Sequence, residues 1–119
     1  MLDRILPLGV DKSMEGLVEE LIRRSSASSV RELAEALGAE VKHIEPRHGL
    51  LALCLRKDDG YSILTDLRES PDIIDSHIAH EIGHIMADNF GRIGYNNEEA
   101  ELFCDEFAEV LLGALKVDI

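Results

Sequence analysis

Residues 77 to 88 read HIAHEIGHIMAD, three histidines and one glutamate on an otherwise apolar stretch. His80, Glu81 and His84 form the pattern H-E-x-x-H. On a helix, positions four apart share one face, one turn above each other. Two imidazoles so placed can bind one zinc ion through neutral ring nitrogens at about 2.0–2.1 Å. Glu81 lies about 100° round the axis from His80, beside such an ion rather than on it. There it can take a proton from a water that the ion acidifies. The spacing separates ligand from base, as metal-assisted hydrolysis requires. At this composition the pentapeptide arises by chance in about one chain in forty, so its surroundings must carry part of the argument.

A helical wheel places Ile74, Ile78, Ile82, Ile85 and Met86 on one apolar face, with Ser76, Gly83 and Ala87 as a narrow strip for close packing. His77, His80, Glu81 and His84 share the remaining sector with Asp88. Such a helix is largely enclosed by protein, and enclosed imidazoles and carboxylates need partners.

A catalytic zinc usually takes three protein ligands and leaves one position for water. A third histidine in the long metzincin pattern is excluded, because Ala87 and Phe90 stand where that pattern needs Gly and His. The last helical segment, NNEEAELFCDEFAEVLL, offers acids instead. Cys104, Ala108, Leu111, Leu112 and Leu115 make its apolar stripe, and Glu101 and Asp105 fall within the same sector. Acids among core residues are costly unless a cation or donor compensates them. Glu101 is therefore expected as third ligand. Asp105, one turn on, is expected to accept the second N–H of a ligating imidazole and fix its tautomer. Glu98 and Glu99 are the fallback ligands. His77 reads as a residue beside the site or on the surface. Tyr95 reads as a loop tyrosine within reach of an oxyanion role, His43 and His48 as exposed residues flanking a turn, and Cys104 as a small core residue.

The elements that must position these groups follow from patterning. Met14, Leu17, Val18, Leu21 and Ile22 mark a first helix. Ser29 with Glu32 reads as a capping box for a second, which Gly38 stops. EVKHIE, LLALCLR and YSILTDL read as strands, the last two joined by KDDG. Three strands in succession predict a small antiparallel meander, with residues 61 to 67 as the edge open to an extended substrate. Ser70 and Pro71 open the histidine-bearing helix. The fold class expected is α+β, in a single domain over residues 1 to 119.

Composition narrows the function. Twenty-four acids against twelve bases give a net charge of -12, which argues against direct binding of a nucleic-acid backbone. No apolar run approaches a bilayer span, so no membrane partner is expected. The first residues lack the apolar core of a secretory signal, and Cys54 and Cys104 show no metal-type CxxC spacing. A reduced, cytoplasmic protein is the expectation.

His80-Glu81-Ile82-Gly83-His84, then Glu101-Leu102-Phe103-Cys104-Asp105-Glu106-Phe107-Ala108 with Leu111-Leu112, resembles the ImmA/IrrE family of metallopeptidases. The resemblance spans about residues 28 to 115, with specific motifs only from 77 to 112. It implies a trimmed thermolysin-like (gluzincin) core with zinc held by His80, His84 and Glu101, Glu81 as base and Asp105 behind the ligands. It also implies a bacterial or phage setting and, as substrate, a helix-turn-helix repressor. The segment after Leu112, Gly113-Ala114, departs from the family's usual ending. A second reading is a binding module that keeps the zinc fold and acts on a repressor or toxin without cleaving it. The intact Glu81 weighs against that reading, since a structural ion needs no base. A third is a metal-free chain with packed histidines and solvated acids.

Overall fold

The computed structural model describes residues 13–44, 52–58, 60–66, 68–90 and 98–116. Helix α1 (Met14–Ser25) opens on Ser13, whose hydroxyl accepts the Gly16 N–H at 3.1 Å. It closes on Ser26 in the left-handed region, with the Ser26 N–H on the Ile22 carbonyl at 2.8 Å. Helix α2 (Val30–Ala36) is capped by Ser29, which accepts the Glu32 N–H at 3.1 Å. The Glu32 carboxylate reaches back to the N–H and hydroxyl of Ser28 rather than to Ser29 itself. The expected box thus forms with its return bond shifted by one residue. Those donors also hold the Glu32 carboxyl below the usual range.

Gly38 ends the helical run with φ +85, a conformation that disfavours a side chain. Its carbonyl accepts the Tyr61 N–H at 3.2 Å, and a Cβ on Gly60 would meet that oxygen at 2.5 Å. This contact between two glycines brings the start of strand β1 (Ala39–Ile44) alongside the start of strand β3 (Gly60–Asp66). The two strands run parallel, with Ala39 opposite Tyr61 and Ile44 opposite Asp66. Strand β2 (Ala52–Lys57) returns as the antiparallel hairpin partner of β3, with Lys57 opposite Gly60.

The sheet order is β1-β3-β2, so the expected antiparallel meander is corrected to a mixed sheet. The expected substrate-facing edge is corrected too: residues 61 to 66 form the central strand, and β1 and β2 are the edges among the described residues. The reason is burial. Tyr61, Ser62, Ile63, Thr65 and Asp66 are all buried, which suits a strand flanked on both sides. A pairing of β1 with β2 would have left that strand exposed.

Helix α3 (Pro71–Phe90) packs against β2, β3 and α2, and helix α4 (Glu98–Lys116) lies chiefly against α3 and α1. The architecture is α+β, with four helices and a three-stranded mixed sheet among the described residues. Leu21, Leu33, Leu37, Ile63, Ile78, Ile82, Ile85, Met86, Phe107 and Leu111 fill the core. Residues 81 to 87 are buried without a break, so this stretch of α3 runs through protein on nearly every side, while its first turn and a half is mostly exposed. The small-residue strip is only partly a packing surface: Gly83 and Ala87 are buried, but Ser76 is exposed. No described helix is long and apolar enough to cross a membrane.

Candidate metal centre

The polar sector of α3 meets α4 at one point. His84 Nε2 lies 2.6 Å from Oε2 of Glu101, and His80 Nε2 lies 3.2 Å from Oε1 of the same carboxylate. One acid from a separate helix therefore spans both imidazoles of H-E-x-x-H. His80 Nδ1 faces Asp105 Oδ1 at 3.0 Å. The two rings stand edge to face, with centroids 5.3 Å apart. Glu98 and Glu99 are exposed and join none of these contacts.

Both nitrogens of His80 thus face carboxylate oxygens. A neutral imidazole has one N–H and one lone pair. If Nδ1–H donates to Asp105, the Nε2 lone pair points at Glu101, and only a proton or a cation can reconcile the two. The donors His80, His84 and Cys104 each bring one ligand atom within 4.8 Å of the others. Ligands round a tetrahedral zinc stand about 3.3–3.6 Å apart, so small side-chain adjustments suffice. The donor set fits a divalent ion.

The acids do not sit where the wheel implied. The side chains of Glu101 and Asp105 are 50% and 71% exposed, on the rim of the apolar stripe rather than inside it. The expectation that core burial forces a partner on them is corrected; what sets them is their position against the imidazoles. The apolar stripe of α4 also contains Phe107, fully buried.

Glu81 is the buried acid of the site, 8% exposed. Burial pushes its carboxyl above the usual range, and the Glu101 charge adds to this. His84, His80 and a hydrogen bond donated by the Cys54 backbone N–H pull the other way. Strand β2, an edge strand, thus reaches the site through its backbone. A cleft of about 530 Å³ opens over the group, with His77, His80, Glu81, Glu101, Asp105 and Leu112 among its walls. His77 Nδ1 is buried without a hydrogen-bond partner.

Helix α4 can approach this closely because of Gly83. A Cβ there would lie 2.8 Å from Cys104 Cα and 3.0 Å from its Sγ. Cys104 is fully buried, as the sequence implied, and burial with nearby carboxylates pushes its thiol up to about 12. The patterning did not bring out its proximity to both histidines. A signal existed: Cys104 lies three residues, about one turn, after Glu101, so whatever brings that acid to the histidines brings the cysteine near them.

One turn beyond His84, Asp88 accepts from Tyr61 Oη at 2.8 Å and from Arg56 at 2.6 Å, tying α3 to β2 and β3. His43 lies apart from the site, with Nδ1 on Thr65 Oγ1 at 2.7 Å and Nε2 beside Arg31. Tyr95 and His48 lie outside the described residues.

No family model, curated protein or solved structure matches the chain, so the likeness to ImmA/IrrE peptidases stands on the motif residues alone.

Proposed function

We propose that the protein is a zinc-dependent endopeptidase of the gluzincin type, acting in the cytoplasm on a protein partner. The observation that carries the reading is the Glu101 carboxylate spanning the Nε2 atoms of His80 and His84 from a second helix. His80, His84 and Glu101 would hold the ion, and Asp105 would orient the His80 ring. When bound, the ion polarises the peptide carbonyl as a Lewis acid and acidifies the attacking water.

The chain's own groups do the rest. Glu81 takes the proton of the attacking water and passes it to the leaving amine. Its burial supports that role, because desolvation raises proton affinity above that of an ordinary carboxylate. The cleft leaves a path for a peptide to reach it. The motif resemblance supports a helix-turn-helix repressor of phage or mobile-element type as the substrate.

Glu81→Gln tests the reading. We expect metal content and folding to survive while cleavage of a helix-turn-helix repressor substrate falls by about 10²–10⁴-fold. Full cleavage by the variant, or no metal in wild-type protein purified without a histidine tag, overturns it.

One observation favours the second reading, a binding module that grips its partner without cleaving it. His80, His84 and Cys104 bring three ligand atoms within 4.8 Å of one another, and the Glu101 carboxylate touches both imidazoles, a His- and Cys-containing donor set of the kind structural zinc sites use. Under that reading Glu81→Gln leaves partner binding and its downstream effect unchanged.

A further inference from the structure

His80, His84 and Glu101 approach the candidate ion position from α3 and from the exposed side of α4. Three residues after Glu101, and buried where Glu101 is exposed, the same helix supplies a sulfur. Cys104 is fully buried and a free thiol. Its Sγ lies within 4.8 Å of a ring nitrogen of each histidine. That position depends on Gly83, which stands between the two histidines and whose missing Cβ would meet Sγ at 3.0 Å. Any side chain at 83 would displace the sulfur, so a helix contact and a donor position are set by the same residue.

We infer that Cys104 is itself a metal ligand, so that the ion held by His80 and His84 takes the Cys104 sulfur from the protein side and Glu101 or solvent from the cleft side. This rests on the reading that the two histidines bind metal. On coordination the S–H proton leaves to solvent and the sulfur electron pair goes to the ion, with no change of oxidation state. The ligand set becomes softer than two imidazoles and a carboxylate. It favours zinc, cobalt and cadmium over manganese and magnesium. With His80, His84, Glu101 and Cys104 all bound, water could join only as a fifth ligand or by displacing one of the four.

The test uses the full chain without a tag, stripped of metal and titrated with cobalt(II). Bound cobalt gives visible d–d bands, and a cobalt–thiolate bond adds a near-ultraviolet charge-transfer band. We expect both in the wild type and in Cys54→Ser. In Cys104→Ser the d–d bands persist, the charge-transfer band disappears, and cadmium affinity falls at least about tenfold while manganese affinity changes little. Cadmium NMR of the unsubstituted protein reads sulfur coordination directly, so the test survives a variant that fails to fold. A wild-type d–d spectrum without the charge-transfer band, or a cadmium resonance lacking sulfur character, overturns the Cys104 inference and leaves the histidine site standing. No cobalt spectrum at all overturns both.

Discussion

Two polar clusters lie one turn apart on α3 and are built on opposite principles. Around Asp88 the charges close on themselves: the carboxylate takes a guanidinium from Arg56 and a hydroxyl from Tyr61. Around His80 and His84 they do not. Glu81, Glu101 and Asp105 gather about two imidazoles, and no lysine or arginine among the described residues is paired with them. The first cluster is complete as protein and serves to fix the helix on the sheet. The second has donors in excess of the protons that neutral histidines supply. Polar groups that satisfy one another hold a fold together, whereas groups left facing one another's lone pairs wait for something to bind.

The sharpest way to break this contrast is to remove the metal. Chelation of loaded protein should lower its stability by about 4 kcal/mol where free zinc had stood a thousandfold above its dissociation constant, read as a fall in Tm. An unchanged Tm would make the two clusters equivalent. Gly83→Ala acts next, since the new Cβ meets the backbone of Cys104 at 2.8 Å. It should destabilise by about 1–3 kcal/mol and weaken metal binding, measured by denaturant unfolding and metal titration. Asp105→Asn should weaken zinc by about 10–100-fold while leaving apo-protein unfolding unchanged, because the side chain is largely exposed.

Asp88→Asn should behave in the opposite sense. It should cost about 0.5–1 kcal/mol of unfolding free energy, with Arg56 well exposed, and leave metal affinity alone. Asp66 supplies the smallest effect. The Arg68 guanidinium beside it holds its carboxyl below the usual range. Its contribution is therefore present above about pH 4 and is lost as pH falls through the lowered value. Asp66→Asn should lower stability slightly at neutral pH and flatten that acid limb, so that the difference from the unsubstituted protein shrinks as pH falls, read in an unfolding series across pH.

Some of this could be read before any coordinates, and particular residues say why. Ser13, Ser29 and Gly38 act within a few positions of themselves, so their types alone mark the ends of α1 and α2. The hairpin at residues 57 to 60 is equally local. The parallel pairing of β1 with β3 is not local: β1 and β2 are both short strands that can pair with β3 or with each other. That choice follows from the glycine contact between residues 38 and 60 and from burial of most of β3. The choice among Glu98, Glu99 and Glu101 lay between these cases. Helical periodicity favoured 101, but for a burial that its half-exposed side chain does not have.

What the chain alone determined is the pair of imidazoles at 80 and 84 with an acid between them, because a helix repeats every 3.6 residues and needs no distant partner to align them. Its caps and hairpin were determined in the same way. What only the tertiary structure decided is which groups come from elsewhere: Glu101 across both rings, Asp105 behind one, the Cys54 N–H on Glu81 and the Cys104 sulfur beneath. Those positions depend on how closely α4 and β2 approach α3. That approach is set by a missing Cβ at Gly83 and by packing of the whole core, and no spacing within one segment encodes it.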